Sequence, residues 1–174
     1  MFAQQNPNRC GGGAARATFL FADLCGFTEY TCRYGDELAA DLAVDFHHRV
    51  CRLAADEGCS VVKSIGDAVM VHSRDSQPAV RLACRILALS RLGGYPAIRI
   101  GIDSGQAVRR GGDWYGSTVN AAARVADAAT PGELLMTERA RAAIGDASSI
   151  EMVSRGLREL KGLPDAPVHA VLAA

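Results

Sequence analysis

Two aspartates hold the clearest chemical possibility in this 174-residue sequence. Asp23 ends an apolar run that begins at Ala17, and Asp67 stands in a Gly66-Asp67 link between two further apolar runs, 44 residues on. If the first run is a strand beside a hairpin made of the other two, both carboxylates emerge at one sheet edge. Carboxylates at such an edge, with oxygen positions left open, suit Mg2+ bound jointly with a substrate's phosphates. Taken singly, each residue reads as easily as a cap or turn aspartate; the pairing on this topology is what favours a metal. Gly26-Phe27-Thr28 follow and lead into a helix, whose free N–H groups and positive dipole end form a cradle for phosphate. Asn120 and Arg124, four apart, share one face of an Ala-rich helix whose small neighbours admit a second surface. A solvated polar face, with Asn120 as a cap, is the plain alternative.

These groups need elements to position them. Residues 17–23 read as a central strand covered on both faces. A turn at Cys25-Gly26 leads into a long helix from about Thr28 to Glu57, bent near Gly35, with Leu38, Leu42, Phe46, Val50 and Leu53 as its apolar face. Residues 59–65 and 68–72 form a tight hairpin about Gly66-Asp67. Ser76 and Pro78 open a second helix through Leu92. Residues 97–103 and 106–108 make a strand or strand pair, and 109–116 a polar loop. A helix from Val119 to about Ala128 follows, capped by Ser117 or Thr118. A strand over 133–136, a short helix capped by Thr137 and two or three strands complete the chain. The order β-α-β-β-α-β predicts an α+β fold with a ferredoxin-like core, a palm-like antiparallel sheet with helices on one face. Residues 1–16, polar with three consecutive glycines, read as a flexible tail or linker, and 17–174 as one domain.

Composition narrows the classes. Hydrophobic residues are 49% and charged residues 22%, the profile of a soluble globular chain. Nineteen basic residues balance nineteen acidic ones, so no broad field points to nucleic acid or an anionic membrane. No apolar run approaches the ~18 residues of a membrane span, and the start lacks a signal peptide's apolar stretch, so a cytoplasmic location is expected. The six cysteines contain no C-x-x-C pair and read as reduced, buried small hydrophobes. Seventeen of the basic residues are Arg; only Lys63 and Lys161 are Lys.

The sequence resembles the class III nucleotidyl cyclase catalytic domain, of adenylate type. The matching stretches are Phe21-Ala-Asp-Leu-Cys-Gly-Phe-Thr28, Val62-Lys-Ser-Ile-Gly-Asp-Ala-Val-Met70, Gly101-Ile-Asp-Ser-Gly105, Asp113-Trp-Tyr-Gly-Ser-Thr-Val-Asn-Ala-Ala-Ala-Arg124 and Leu160-Lys-Gly-Leu163. They run in order from about Ala17 to Val171. The resemblance implies that Asp23 and Asp67, with the Leu24 carbonyl, bind two divalent cations, Mg2+ or Mn2+. It implies that Lys63 and Asp113 select the purine, that Asn120 and Arg124 serve the transition state, and that Lys161 meets the terminal phosphates. Both lysines of an Arg-dominated chain thus fall where a compact ammonium is expected.

Donors and acceptors then favour ATP. Lys63 only donates and ionised Asp113 only accepts, which complements the N1 acceptor and N6 donor of adenine and opposes both groups of guanine. The implied reaction is conversion of ATP to 3′,5′-cyclic AMP and pyrophosphate in a head-to-tail homodimer with shared sites. Arg109 and Arg110 are candidates for a further phosphate contact. A nucleotide-binding pseudo-cyclase that regulates a partner is the competing non-enzyme reading. Other palm-type enzymes fit less well, since Asp67 lacks an acidic neighbour in its turn.

Overall fold

The computed structural model describes residues 15–92, 94–145 and 150–172. Alternation builds the first strand, β1 (Ala15–Leu24): Leu20, Ala22 and Leu24 point to one side, while Ala17, Phe19 and Phe21 point to the other, all of them buried. It is therefore central, as its apolar run predicts. It also starts two residues before the expected boundary. Ala15 and Arg16 belong to the strand, and the rest of the expected tail lies outside the described residues.

The long helix is two. Gly35, at φ 90°, breaks it into α1 (Phe27–Tyr34) and α2 (Asp36–Asp56), a sharper event than the expected bend. Phe46 and Val50 are fully buried, but Leu38, expected on the inner face, is 52% exposed. The hairpin of β2 (Ser60–Ile65) and β3 (Ala68–Ser73) turns at Gly66-Asp67 as expected. After α3 (Ser76–Arg91), the expected strand or strand pair is a single long strand, β4 (Ile98–Arg110). The expected polar loop folds back through Gly111-Gly112 into β5 (Asp113–Tyr115), which pairs with the end of β4. Then come α4 (Ser117–Ala128), β6 (Leu134–Thr137), α5 (Glu138–Ile144), β7 (Met152–Leu160) and β8 (Leu163–Val171). Thr137 caps α5 through Ala140 N–H, as expected. Neither Ser117 nor Thr118 caps α4; Gly116 stands at its N-cap, and Thr118 Oγ1 donates to the Gln106 carbonyl instead.

The sheet order is β2-β3-β1-β4-β6-β8-β7, with β4 and β6 parallel and the other pairs antiparallel. Its first four strands with α2 and α3 are the ferredoxin-like core. Leu20, Ala22, Ile98, Ile100 and Ile102 meet Phe46, Val50 and the buried stripe of α3 on one face. The expectation of helices on one face alone is corrected by α4. Val119, Ala122 and Ala126 pack on Phe19, Phe21 and Met70 across the opposite face. Two glycines of β4 permit this approach: a Cβ on Gly101 would lie 2.1 Å from Ala126 N, and one on Gly105 2.6 Å from Thr118 Oγ1.

The five described cysteines are free thiols; Cys59 is buried, while Cys32 is exposed, against the expectation that all are buried. Cys10 lies outside the described residues. No helix among the described residues is long and apolar enough to cross a membrane.

Candidate active site

Asp23 and Asp67 meet at one end of the sheet. Ala22 pairs with Val69, so the end of β1 lies beside the Gly66-Asp67 turn, whose Gly66 adopts φ 61°. Both aspartates line one cleft of about 400 Å3 with Leu24, Gly26, Phe27 and Thr28, the last three at the start of α1. Burial, then the neighbouring Asp23 carboxylate, pushes the Asp67 carboxyl up to about 6. Burial raises the Cys25 thiol as well, which keeps that side chain neutral in the cleft. Two carboxylates forced together, at an open edge, are a donor set for a hard divalent cation, whose charge removes their repulsion. No group of three or more His, Cys, Asp or Glu gathers among the described residues. A cation held here therefore draws its remaining ligands from backbone, water or substrate oxygens.

Arg99 shares this cleft and was not foreseen from sequence. It lies opposite Asp23 in the β1–β4 register, and its guanidinium forks onto Asp23 Oδ2, with Nε at 2.7 Å and Nη2 at 2.6 Å. The signal was there: one charge between Ile98 and Ile100, both fully buried. Arg109 and Arg110, the expected candidates, sit instead at the far end of β4, opposite Trp114 and Asp113. Arg109 lines a different cleft, with His72 and Arg74.

Lys63 and Asp113, fifty residues apart, meet. The ladder slips between Val61 and Lys63, so that Val61 pairs with Val71 and Lys63 with Met70. This bulge turns Lys63 onto the Met70 face, where α4 packs, and away from the α2 face. The β5 flap reaches the same face because Trp114 stacks on His72, ring centroids 4.5 Å apart, and meets Phe19 edge-on. Lys63 Nζ then donates to Asp113 Oδ2 at 2.5 Å, and Trp114 N–H to Oδ1 at 2.8 Å. The Lys63 hydrogen bond holds the Asp113 carboxyl below its usual range. The ammonium keeps two donors and the carboxylate its remaining lone pairs, free for a ligand.

Asn120 is not a cap: its N–H bonds to Gly116 O within α4, and its side chain is exposed. Arg124 lies one turn on and donates to Asp127 Oδ2 at 2.9 Å. Lys161 stands in the β7–β8 turn beside Gly162 at φ 77°. That turn is anchored by Leu160 and Leu163, which pack with Val125 of α4. None of Lys63, Asp113, Asn120, Arg124 and Lys161 lines the Asp23–Asp67 cleft. One chain therefore does not gather its candidate groups in one cleft: the aspartates form one set, and the others, with Arg124 approaching that cleft through Asp127 and Arg99, form a second.

The sheet, its edge carboxylates and the helix start beside them define a palm-like α+β domain whose edge suits a divalent cation and phosphate oxygens. The model of the adenylate and guanylate cyclase catalytic domain matches residues 95–172. A pH-sensitive adenylate cyclase of Mycobacterium tuberculosis is 36% identical over 158 residues, 87% of this chain and 39% of that protein. An adenylate cyclase of Streptomyces griseus is 36% identical over 122 residues, 70% of this chain and 31% of that protein. The chain belongs to the class III nucleotidyl cyclase catalytic-domain family. It spans under two fifths of the length of these curated relatives.

Solved structures agree on the fold. The adenylyl cyclase CyaB of Pseudomonas aeruginosa superposes with TM-score 0.85 at 23% identity, covering 94% of this chain and 97% of its own. The guanylate cyclase domain of RhGC from Catenaria anguillulae, in complex with GTP, gives 0.83 at 23% identity, covering 91% and 97%. Since both kinds share the fold, the fold does not choose the purine; side chains must.

Proposed function

We propose that this domain is an adenylate cyclase that converts ATP to 3′,5′-cyclic AMP and pyrophosphate. The observation that carries the reading is the Lys63–Asp113 pair, brought to 2.5 Å by a bulge in one strand and a pinned flap from another. Its spare donors and acceptors match the N1 and N6 edge of adenine. Guanine would set N1–H against the ammonium and O6 against the carboxylate, leaving groups unpaired at ~1–3 kcal/mol each.

The two sets on one chain support a head-to-tail homodimer in which each site draws one set from each subunit. Asp23 and Asp67 of one chain face Lys63, Asp113, Asn120, Arg124 and Lys161 of the other. Two divalent cations, Mg2+ or Mn2+, bound by the aspartates would acidify the ribose 3′-hydroxyl and neutralise the triphosphate. The residues of the chain do the rest. Lys63 and Asp113 seat the base. The start of α1 and Arg99 face the phosphates, and Lys161 holds the terminal ones. In-line attack by the 3′-oxygen, whose proton is released to solvent, forms the O3′–Pα bond and breaks the bond from Pα to the bridging oxygen, which leaves with pyrophosphate. Arg124 and Asn120 donate to the oxygens where charge builds at Pα.

Mixing tests the sharing. Asp67→Ala and Arg124→Ala, each reduced alone to a small but measurable residual rate, complement each other because one site of every mixed dimer inherits all intact groups. Random pairing predicts about a quarter of wild-type activity. No recovery after verified subunit exchange would refute shared sites.

A further inference from the structure

Arg124 is held before any substrate arrives. Its Nη1 donates to Asp127 Oδ2 at 2.9 Å, nearly one turn further along α4. The other oxygen of Asp127 faces Arg99 Nη2 at 3.7 Å, and Arg99 is itself forked onto Asp23. Asp127 occupies the last turn of α4, where the helix dipole disfavours a carboxylate and no basic residue of that turn offsets it. The dipole opposes an acid here; the two guanidiniums that it meets, Arg124 three residues back on the same helix and Arg99 on β4, offset that cost.

We infer that Asp127 is the positioning residue for Arg124. The distances choose between its two partners: a hydrogen bond at 2.9 Å to Arg124 against a looser approach at 3.7 Å to Arg99, which has Asp23 as a closer anchor. Arg124 is 43% exposed and, without Asp127, would sweep many rotamers on its long stem. Asp127 fixes the direction of the planar fork, so that less side-chain freedom is lost when the fork closes on the reacting phosphate. The inference rests on the shared-site reading above, in which Arg124 serves the site completed by the partner's aspartates.

Asp127→Ala should lower kcat about tenfold with the KM for ATP unchanged, because a contact made in the transition state is loosened and not a ground-state one. Mixing then assigns the residue to a half-site. Combined with Asp67→Ala, the Asp127→Ala chain should recover about a quarter of wild-type activity; combined with Arg124→Ala it should stay near about one twentieth. The reverse pattern would mean that Asp127 acts through Arg99 and would overturn the inference, as would an unchanged kcat or recovery with neither chain. If the Asp67→Ala plus Arg124→Ala control shows no recovery, the shared-site reading falls instead. The chain carrying both Asp127→Ala and Arg124→Ala then decides: a kcat equal to that of Arg124→Ala alone supports positioning through Arg124, and a further loss overturns it.

Discussion

Gly101 sets how closely α4 lies on the sheet. A Cβ there would fall 2.1 Å from Ala126 N, 2.4 Å from Ala122 O and 2.7 Å from Ala126 Cα, all of them helix backbone. Ordinary non-bonded contact is about 3.5–4.0 Å, so Gly101→Ala must drive the helix off β4 by roughly 1 Å or more. Gly101 does not adopt a positive φ, so the effect is steric and not a backbone penalty. Overpacking of this kind costs about 1–3 kcal/mol, or roughly 3–10 °C in Tm for a chain of this size. Asn120 and Arg124 ride on the displaced helix. A shift of about 1 Å at reacting groups can cost ~10²-fold in rate. Thermal unfolding and steady-state kcat on the same preparation should therefore show a lowered Tm and a far larger proportional loss of kcat. A Gly101→Ala protein with wild-type Tm and kcat would refute the close-packing argument and the placement of Arg124 through α4.

The remaining predictions concern the two sets of groups. Changing Lys63 to Glu and Asp113 to Cys should cut kcat/KM for ATP by ~10²-fold or more and bring ATP and GTP closer together, because both base contacts are lost; a strong preference for ATP in that variant would place specificity elsewhere. With Asp67 raised to about 6, proton and cation compete for it below that pH. Mn2+ affinity, measured by calorimetry, should be level above about pH 7 and fall about tenfold per unit below 6; a flat profile from pH 5 to 7 would contradict the site. The sign for the metal-free fold is the opposite. A carboxyl raised on folding contributes stability that is present below its unfolded value of 3.8 and lost as pH rises through about 6, and Asp67→Asn should remove that dependence.

Sequence pattern located most of the scaffold because the signals were local. The unbroken apolar run of β1, the Gly66-Asp67 link and the four-residue spacing of Asn120 and Arg124 each depend on near neighbours in the chain. What it missed depends on distant contacts. The β5 flap is polar and short; it becomes a strand through pairing with β4 and the stacking of Trp114 on His72. The bulge at Val62 leaves no local trace, yet it turns Lys63 toward Asp113. Arg109 and Arg110 stand out in the sequence and Arg99 does not, because an arginine inside an apolar strand gains meaning only from its cross-strand partner, Asp23. The face taken by α4 was hidden for a similar reason. Its Ala stripe shows that something packs closely, and only the glycines of β4 show what.

The most direct test of the account is turnover of the purified chain with ATP and with GTP, in Mg2+ and in Mn2+, with nucleotide products separated by chromatography. The account predicts 3′,5′-cyclic AMP and pyrophosphate in equal amounts, little product from GTP, and only a small residual rate with Asp23→Ala or Asp67→Ala. Specific activity should also fall on dilution as dimers dissociate. Tight ATP binding without cyclic product at any protein concentration, or GTP turned over as fast as ATP, would contradict it.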